Sequence, residues 1–223
     1  MPAYYPIYVD VRGRNCQVYG GDAHEAARKI RYFLECGGSV TFFSPEDETC
    51  NALRQLADES AVKWIKRGYR PGDLEGAWIA VVADTSDAEI NEAVSAEARE
   101  RNVLLNVMDV APLCTFIAPS IIQREDVTVA ISTAGTSPAL ARRLRERVSD
   151  HETCQCMRWA DLGPTLADVR TDIRARNLPV TPNEWQEVMT EELLEVFESG
   201  DRDRARRMLI EGLEAKAAAK ASS

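Results

Sequence analysis

Short unbroken apolar runs alternate with amphipathic stretches over the first ~135 residues, which predicts βαβ units built on a parallel sheet. Asn15–Tyr19 (NCQVY) reads as a strand that Gly20-Gly21-Asp22 breaks, and His24–Cys36 follows as a helix. Ala27, Ile30 and Leu34 share one face of that helix, with Arg28, Lys29, Arg31 and Glu35 elsewhere, and Gly37-Gly38 stops it. Ser39–Phe43 (SVTFF) is the second strand, ended by Ser44-Pro45-Glu46, and Val62–Ile65 is a short edge strand before the turn-rich Gly68–Gly76. Trp78–Ala83 (WIAVVA) has no polar alternation, as expected of a strand covered on both faces. Ala88–Arg101 predicts a helix, Val103–Val107 (VLLNV) another buried strand, and Thr128–Ser132 (TVAIS) a further one. These elements predict an α/β fold with an open, doubly wound parallel sheet.

After Pro138 the periodicity changes. Pro138–Asp150, Met157–Asn177, Pro182–Ser199 and Asp201–Lys220 all predict helices, with no strand-like run among them. Ser137 before Pro138 is an N-cap and first-turn pair. Trp159, Leu162, Leu166, Val169 and Ile173 form one apolar stripe, and Trp185, Val188, Met189, Leu193 and Phe197 form another. Isolated helices cannot bury such faces, so they pack on each other, on the sheet or on a second subunit. We therefore expect a sheet domain over 1–137 and a helical domain over 138–223, the latter including a frayed tail.

Composition narrows the function. The 223 residues are 45% hydrophobic and 28% charged, an ordinary globular balance. A formal charge of −9 argues against a general nucleic-acid surface. No apolar run reaches membrane-spanning length, and the start MPAYYPIYVD lacks a signal-peptide pattern, so a soluble, cytoplasmic protein without a membrane partner is expected. Six scattered cysteines fit a reduced compartment better than a disulfide framework.

Three turns carry candidate chemistry. Gly20-Gly21-Asp22-Ala23-His24-Glu25 connects strand to helix, where backbone can approach a pyrophosphate; equally, it reads as a simple turn with an aspartate cap. Asp109 follows the buried run VLLNV at the sheet edge where ligands gather, as a catalytic acid or base or as a cap. Ser132-Thr133-Ala134-Gly135-Thr136-Ser137-Pro138 offers donors for a carboxylate or phosphate, with Arg142, Arg143 and Arg145 behind it; it is also an ordinary N-cap with a solvated basic face. No metal site is expected, since Cys154-Gln155-Cys156 would need partners from elsewhere.

Several motifs occur in order: Tyr5-Pro6-Ile7-Tyr8-Val9-Asp10-Val11-Arg12-Gly13-Arg14, Gly20-Gly21 with Ala26-Ala27-Arg28-Lys29, and Ser39-Val40-Thr41 with Ser44-Pro45. Asn106-Val107-Met108-Asp109, the run Phe116–Arg124 (FIAPSIIQR) and the run Val129–Arg142 (VAISTAGTSPALAR) follow. Together they resemble precorrin-2 dehydrogenase, the N-terminal module of sirohaem synthase, closely over residues 4–150 and in character beyond.

The resemblance implies a Rossmann-like fold, NAD-dependent oxidation of precorrin-2 to sirohydrochlorin, in some members insertion of ferrous iron (cobaltous ion being a further candidate substrate), and a homodimer. It places the cofactor against Gly20–Glu25, against Pro45 and Glu46, and against Val82, Ala83, Asp84 and Thr85. It places the catalytic aspartate on Asp109, and a serine that is phosphorylated in some members on Thr133. Ser120, Arg124, Thr133, Gly135, Thr136, Ser137 and Arg142 are then candidate contacts for the substrate's carboxylates. The sequence departs from the family at Asp22, where a glycine is usual, and in a longer Asp84–Asp87 segment. Two alternatives remain: a sirohydrochlorin ferrochelatase or tetrapyrrole-binding protein with a weakened NAD site, and a nucleotide-sensing regulatory module.

Overall fold

The computed structural model describes residues 4–20, 24–58, 62–150, 152 and 154–221. In chain order the elements are β1 (Asn15–Tyr19), α1 (His24–Glu35), β2 (Ser39–Phe43), α2 (Asn51–Asp58), β3 (Val62–Ile65), β4 (Ile79–Val82), α3 (Ala88–Arg101) and β5 (Leu104–Val107). A 3-10 turn at Ala111–Leu113 leads to β6 (Ser120–Arg124) and β7 (Val127–Ile131). The helices α4 (Pro138–Ser149), α5 (Gly163–Ala175), α6 (Pro182–Val188), α7 (Glu191–Glu198) and α8 (Arg202–Ala221) complete the chain, with a 3-10 segment at Cys156–Leu162 before α5.

By contacts the chain forms two compact units, 1–118 with 134–136, and 119–133 with 137–223. The first holds a parallel sheet in the order β3-β2-β1-β4-β5. Strand side chains alternate between two cores. Cys16, Val18, Val40, Phe42, Ile79 and Val81 pack with Ile30 and Phe33 of α1 and Leu53 and Leu56 of α2. Tyr19, Phe43, Ala80, Val82, Leu105 and Val107 pack with Val94 and Ala98 of α3 and with Leu74. The sheet is therefore covered on both faces, which is why β4 could be entirely apolar. Each fully buried Leu, such as Leu53 or Leu74, contributes about 1.5–3 kcal/mol by leaving water.

The Thr128–Ser132 run is a strand, as its composition predicts, but it does not join the parallel sheet. As β7 it pairs antiparallel with β6, in a hairpin turned at Glu125 and Asp126, and Glu125 adopts a left-handed φ of 48°. The predicted single helix over Pro182–Ser199 is two helices, broken at Met189 and Thr190, where the Thr190 hydroxyl accepts from Leu193 N–H and caps α7. Both apolar stripes meet in one core with Leu209 and Leu213 of α8, so within this unit the helices bury their faces on one another. Among the described residues no helix is long and apolar enough to cross a membrane.

Candidate functional site

The strand order reverses between β1 and β4, and in open α/β sheets the crevice at the carboxyl ends of such strands is where ligands bind. β1 is followed by Gly20, which has a φ of 97° and donates its N–H to the Phe43 carbonyl at 2.9 Å. The β4 end is drawn against it: Ala83 N–H donates to the Tyr19 carbonyl at 2.7 Å. A Cβ added at Gly20 would stand 2.4 Å from Asp84 Cβ and 2.6 Å from Asp84 N, so only glycine lets the two turns touch. Gly21, Asp22 and Ala23 lie outside the described residues. Beyond them His24 opens α1 in an exposed position, and Glu25 pairs with Arg28, whose guanidinium holds the Glu25 carboxyl below its usual range.

The other two turns at this edge are fixed by their own hydrogen bonds. After β2, the buried Ser44 accepts from Thr49 Oγ1 at 2.9 Å, Thr49 also reaches the Pro45 carbonyl, and Trp64 Nε1 donates to the Ser44 carbonyl at 2.9 Å. Glu46 is exposed beyond this knot, with Oε1 3.0 Å from Lys66 Nζ. After β4, Asp84 Oδ1 accepts from Ser86 N–H, Asp87 caps α3 through Glu89 and Ile90 N–H, and Asn91 Nδ2 donates to the Thr85 carbonyl at 3.0 Å. Asn91 is buried and its Oδ1 has no partner among the described residues.

Asp109 stands on the turn that ends β5. Val110 N–H donates to the Val107 carbonyl at 3.1 Å, and Asp109 adopts a φ of 62°, a left-handed conformation that aspartate tolerates better than most residues. The side chain is exposed and has no hydrogen bond or ion pair among the described residues. Beneath the turn lies Cys114, with Sγ 3.2 Å from both the amide and the carbonyl of Val107 and 3.5 Å from the carbonyl of Val110. Burial raises this thiol, which keeps it protonated as a donor to those carbonyls. Gly135, with a φ of 83°, belongs to the same unit, and a Cβ on it would sit 3.9 Å from Ala111 Cβ, two residues after Asp109.

The sheet unit thus gathers Gly20, His24, Glu25, Pro45, Glu46, Val82–Thr85 and Asp109 on the carboxyl edge of its strands, and includes Gly135 and Thr136. The remaining candidates belong to the helical unit, and two of the arginines there are engaged. The Arg124 guanidinium is gripped by Asp161 through Nε and Nη2, and Arg142 Nε pairs with Glu146 Oε1 at 2.9 Å, one helical turn on. Thr133 Oγ1 accepts from Ser137 N–H and donates to its carbonyl, while Ser137 Oγ caps α4 by accepting from Leu140 N–H. Ser120 is half-buried at the start of β6. Among the described residues no three His, Cys, Asp or Glu side chains gather as a metal site.

Sequence reasoning missed Cys114 and Asn91. Cys114 carries no local signal, because its partners, the Asn106 side-chain amide and backbone atoms of Val107 and Val110, lie four to eight residues away. Asn91 does carry one: it shares the buried face of α3 with Val94, Ser95 and Ala98, where a polar side chain must be answering something in the fold.

The described residues fit a dinucleotide. A glycine cradle lies where the two central strands end, a helix opens beyond it, and a carboxylate follows β2 at the position that answers ribose hydroxyls in such folds. A family profile described as putative NAD(P)-binding matches residues 7–120, and one described as sirohaem biosynthesis protein central matches residues 124–151. A siroheme synthase of Pseudoalteromonas atlantica is 32% identical over 212 residues, and one of Methylobacillus flagellatus 37% identical over 206. These alignments take in 94% and 92% of this chain but only 44% and 43% of the relatives, so the chain spans less than half their length. A solved structure, "SirC, precorrin-2 dehydrogenase", covers 95% of this chain and 100% of its own with a TM-score of 0.67 at 23% identity, a likeness of fold. With that profile spanning the whole parallel sheet and the crevice between β1 and β4, the chain belongs to the putative NAD(P)-binding family.

Proposed function

We propose that this chain oxidises precorrin-2 to sirohydrochlorin with NAD, in sirohaem biosynthesis. The proposal rests on the exposed carboxylate of Asp109, without a partner among the described residues, at the carboxyl end of β5 in the sheet that holds the glycine-cradled ends of β1 and β4. The relatives' names, siroheme synthase and precorrin-2 dehydrogenase, support the same chemistry.

NAD, when bound, supplies the hydride acceptor. Gly20 and the backbone of Asp84 and Thr85 line its cleft, and the α1 N-terminus favours the pyrophosphate charge. Glu46 takes the ribose hydroxyls after releasing Lys66. Asp109 accepts the proton that must leave the substrate when the hydride does. Its left-handed backbone fixes where that carboxylate sits, and Cys114 braces the turn from below. Precorrin-2 bears eight carboxylates, so on an acidic chain its binding depends on local donors. The backbone of Ala134, Gly135 and Thr136, in the same unit as Asp109, supplies them. The proposal extends to a homodimer, to a cytoplasmic location, and to ferrous or cobaltous ion as a second substrate whose insertion releases pyrrole protons to Asp109.

The test is anaerobic incubation of the chain with precorrin-2, with and without NAD. Sirohydrochlorin formed together with an equal amount of NADH is the expected result. Conversion that ignores NAD, or no conversion, would overturn the reading.

A further inference from the structure

Cys154 lies in the segment that follows α4, and Cys156 opens the 3-10 segment at Cys156–Leu162, apart in sequence from the residues placed in the site above. Their sulfur atoms stand 2.7 Å apart, across a single intervening residue, with Cys156 exposed and Cys154 half-exposed. The Cys154 N–H donates to the Asp150 carbonyl at 2.8 Å, and Arg158 Nη1 donates to Gln155 Oε1 at 3.0 Å. Two solvent-accessible thiols brought together in this way form a dithiol; of the other cysteines, Cys16 is buried and Cys114 lies under the Asp109 turn.

We propose that Cys154 and Cys156 form a redox-active dithiol that takes a low-molecular-weight disulfide as its oxidant. The two thiols are not equivalent. The contact between them holds the Cys154 thiol below its usual value and raises that of Cys156. Cys154 is therefore the attacking group and Cys156 the resolving one. The Cys154 thiolate attacks one sulfur of the external disulfide, forming a mixed disulfide and expelling a thiolate, which takes up the proton Cys154 has lost. Cys156 then loses its proton and attacks Cys154 Sγ, forming the internal bond and expelling the second external thiol, which carries that proton away. Two protein thiols are oxidised, and one external disulfide is reduced to two thiols. A ring closed across one residue is strained and exposed, so excess external thiol reopens it.

The experiment uses the full chain, reduced, freed of reductant and treated anaerobically with oxidised glutathione, then quenched with an alkylating agent and mapped by mass spectrometry. The expected product is a Cys154–Cys156 linked peptide that escapes alkylation and returns to two alkylated thiols after excess reduced glutathione. Cys154 should react at least about tenfold faster than the exposed Cys36, which serves as the internal reference. Cys156→Ser should accumulate the mixed disulfide on Cys154, and Cys154→Ser should leave Cys156 largely free. Equal glutathione labelling of Cys154, Cys156 and Cys36 with no internal link would overturn the proposal, as would trapping on Cys156 in Cys154→Ser at the rate seen for Cys154 in Cys156→Ser.

Discussion

Gly20 lies so close to Asp84 that the two turns ending the central strands are in backbone contact: a Cβ at residue 20 would come within 2.6 Å of the Asp84 amide nitrogen. The φ of 97° at Gly20 adds a second reason why no other residue serves there. Gly20→Ala should destabilise the fold by about 2–3 kcal/mol, from strain and overlap together, and raise the Kd for NAD at least about tenfold. Denaturant unfolding and a dinucleotide titration read the two effects. A variant with unchanged stability and affinity would mean that the turns can separate freely.

Glu97 ties α3 to the 68–76 segment and gives a pH-dependent prediction. Its buried carboxylate accepts from Tyr69 Oη, from the N–H groups of Gly72 and Leu74, and from Arg101 Nε. Burial alone would raise its carboxyl, but the donors from Tyr69, Gly72 and Arg101 outweigh burial and hold it below its usual value. The folded protein therefore binds this proton less tightly than the unfolded chain. The stability it contributes is present above the unfolded carboxylate value and is lost as pH falls through the lower, folded one. Glu97→Gln should cost about 2 kcal/mol at neutral pH, and the gap from the parent protein should close in acid. A gap that stays constant with pH would show that packing, not charge, is what residue 97 supplies.

Much of this arrangement is legible in the sequence. The runs NCQVY, SVTFF and VKWI coincide with β1, β2 and β3, because each is rich in β-branched and aromatic residues and is bounded by turn-forming or charged residues. The carboxyl-edge position of Asp109 follows from the same logic. The partnership of β7 was not legible. The hairpin that holds it turns at Glu125 and Asp126 without the glycine or asparagine that usually marks such a turn, and β6 is only partly buried, so its pattern is weak. The break at Met189 was hidden because α6 and α7 face one core and the apolar spacing continues across it. Arg124 reads as a free donor in sequence, whereas its partner Asp161 lies 37 residues on, a pairing that only the fold creates.

Cys114 braces the Asp109 turn through its sulfur and has no other assigned role. Cys114→Ala removes the contacts to Val107 and Val110 while leaving the β1–β4 crevice intact. We expect precorrin-2 turnover to fall by about 3- to 10-fold from a less well-placed carboxylate, with NAD affinity unchanged. Cys114→Ser, which can still donate to the carbonyls, should recover most of the loss. Equal turnover in all three proteins would remove Cys114 from the account.

The most direct measurement is the anaerobic turnover of precorrin-2 at saturating NAD by the parent protein and by Asp109→Asn. The amide keeps the size and hydrogen-bonding capacity of the side chain and removes its basicity. Because Asp109 has no partner among the described residues, the substitution has little in the fold to disturb. Normal stability, normal NAD binding and a rate reduced at least about a hundredfold are expected, the loss typical of a missing general base. A folded Asp109→Asn protein that oxidises precorrin-2 at near the parent rate would rule Asp109 out as the base.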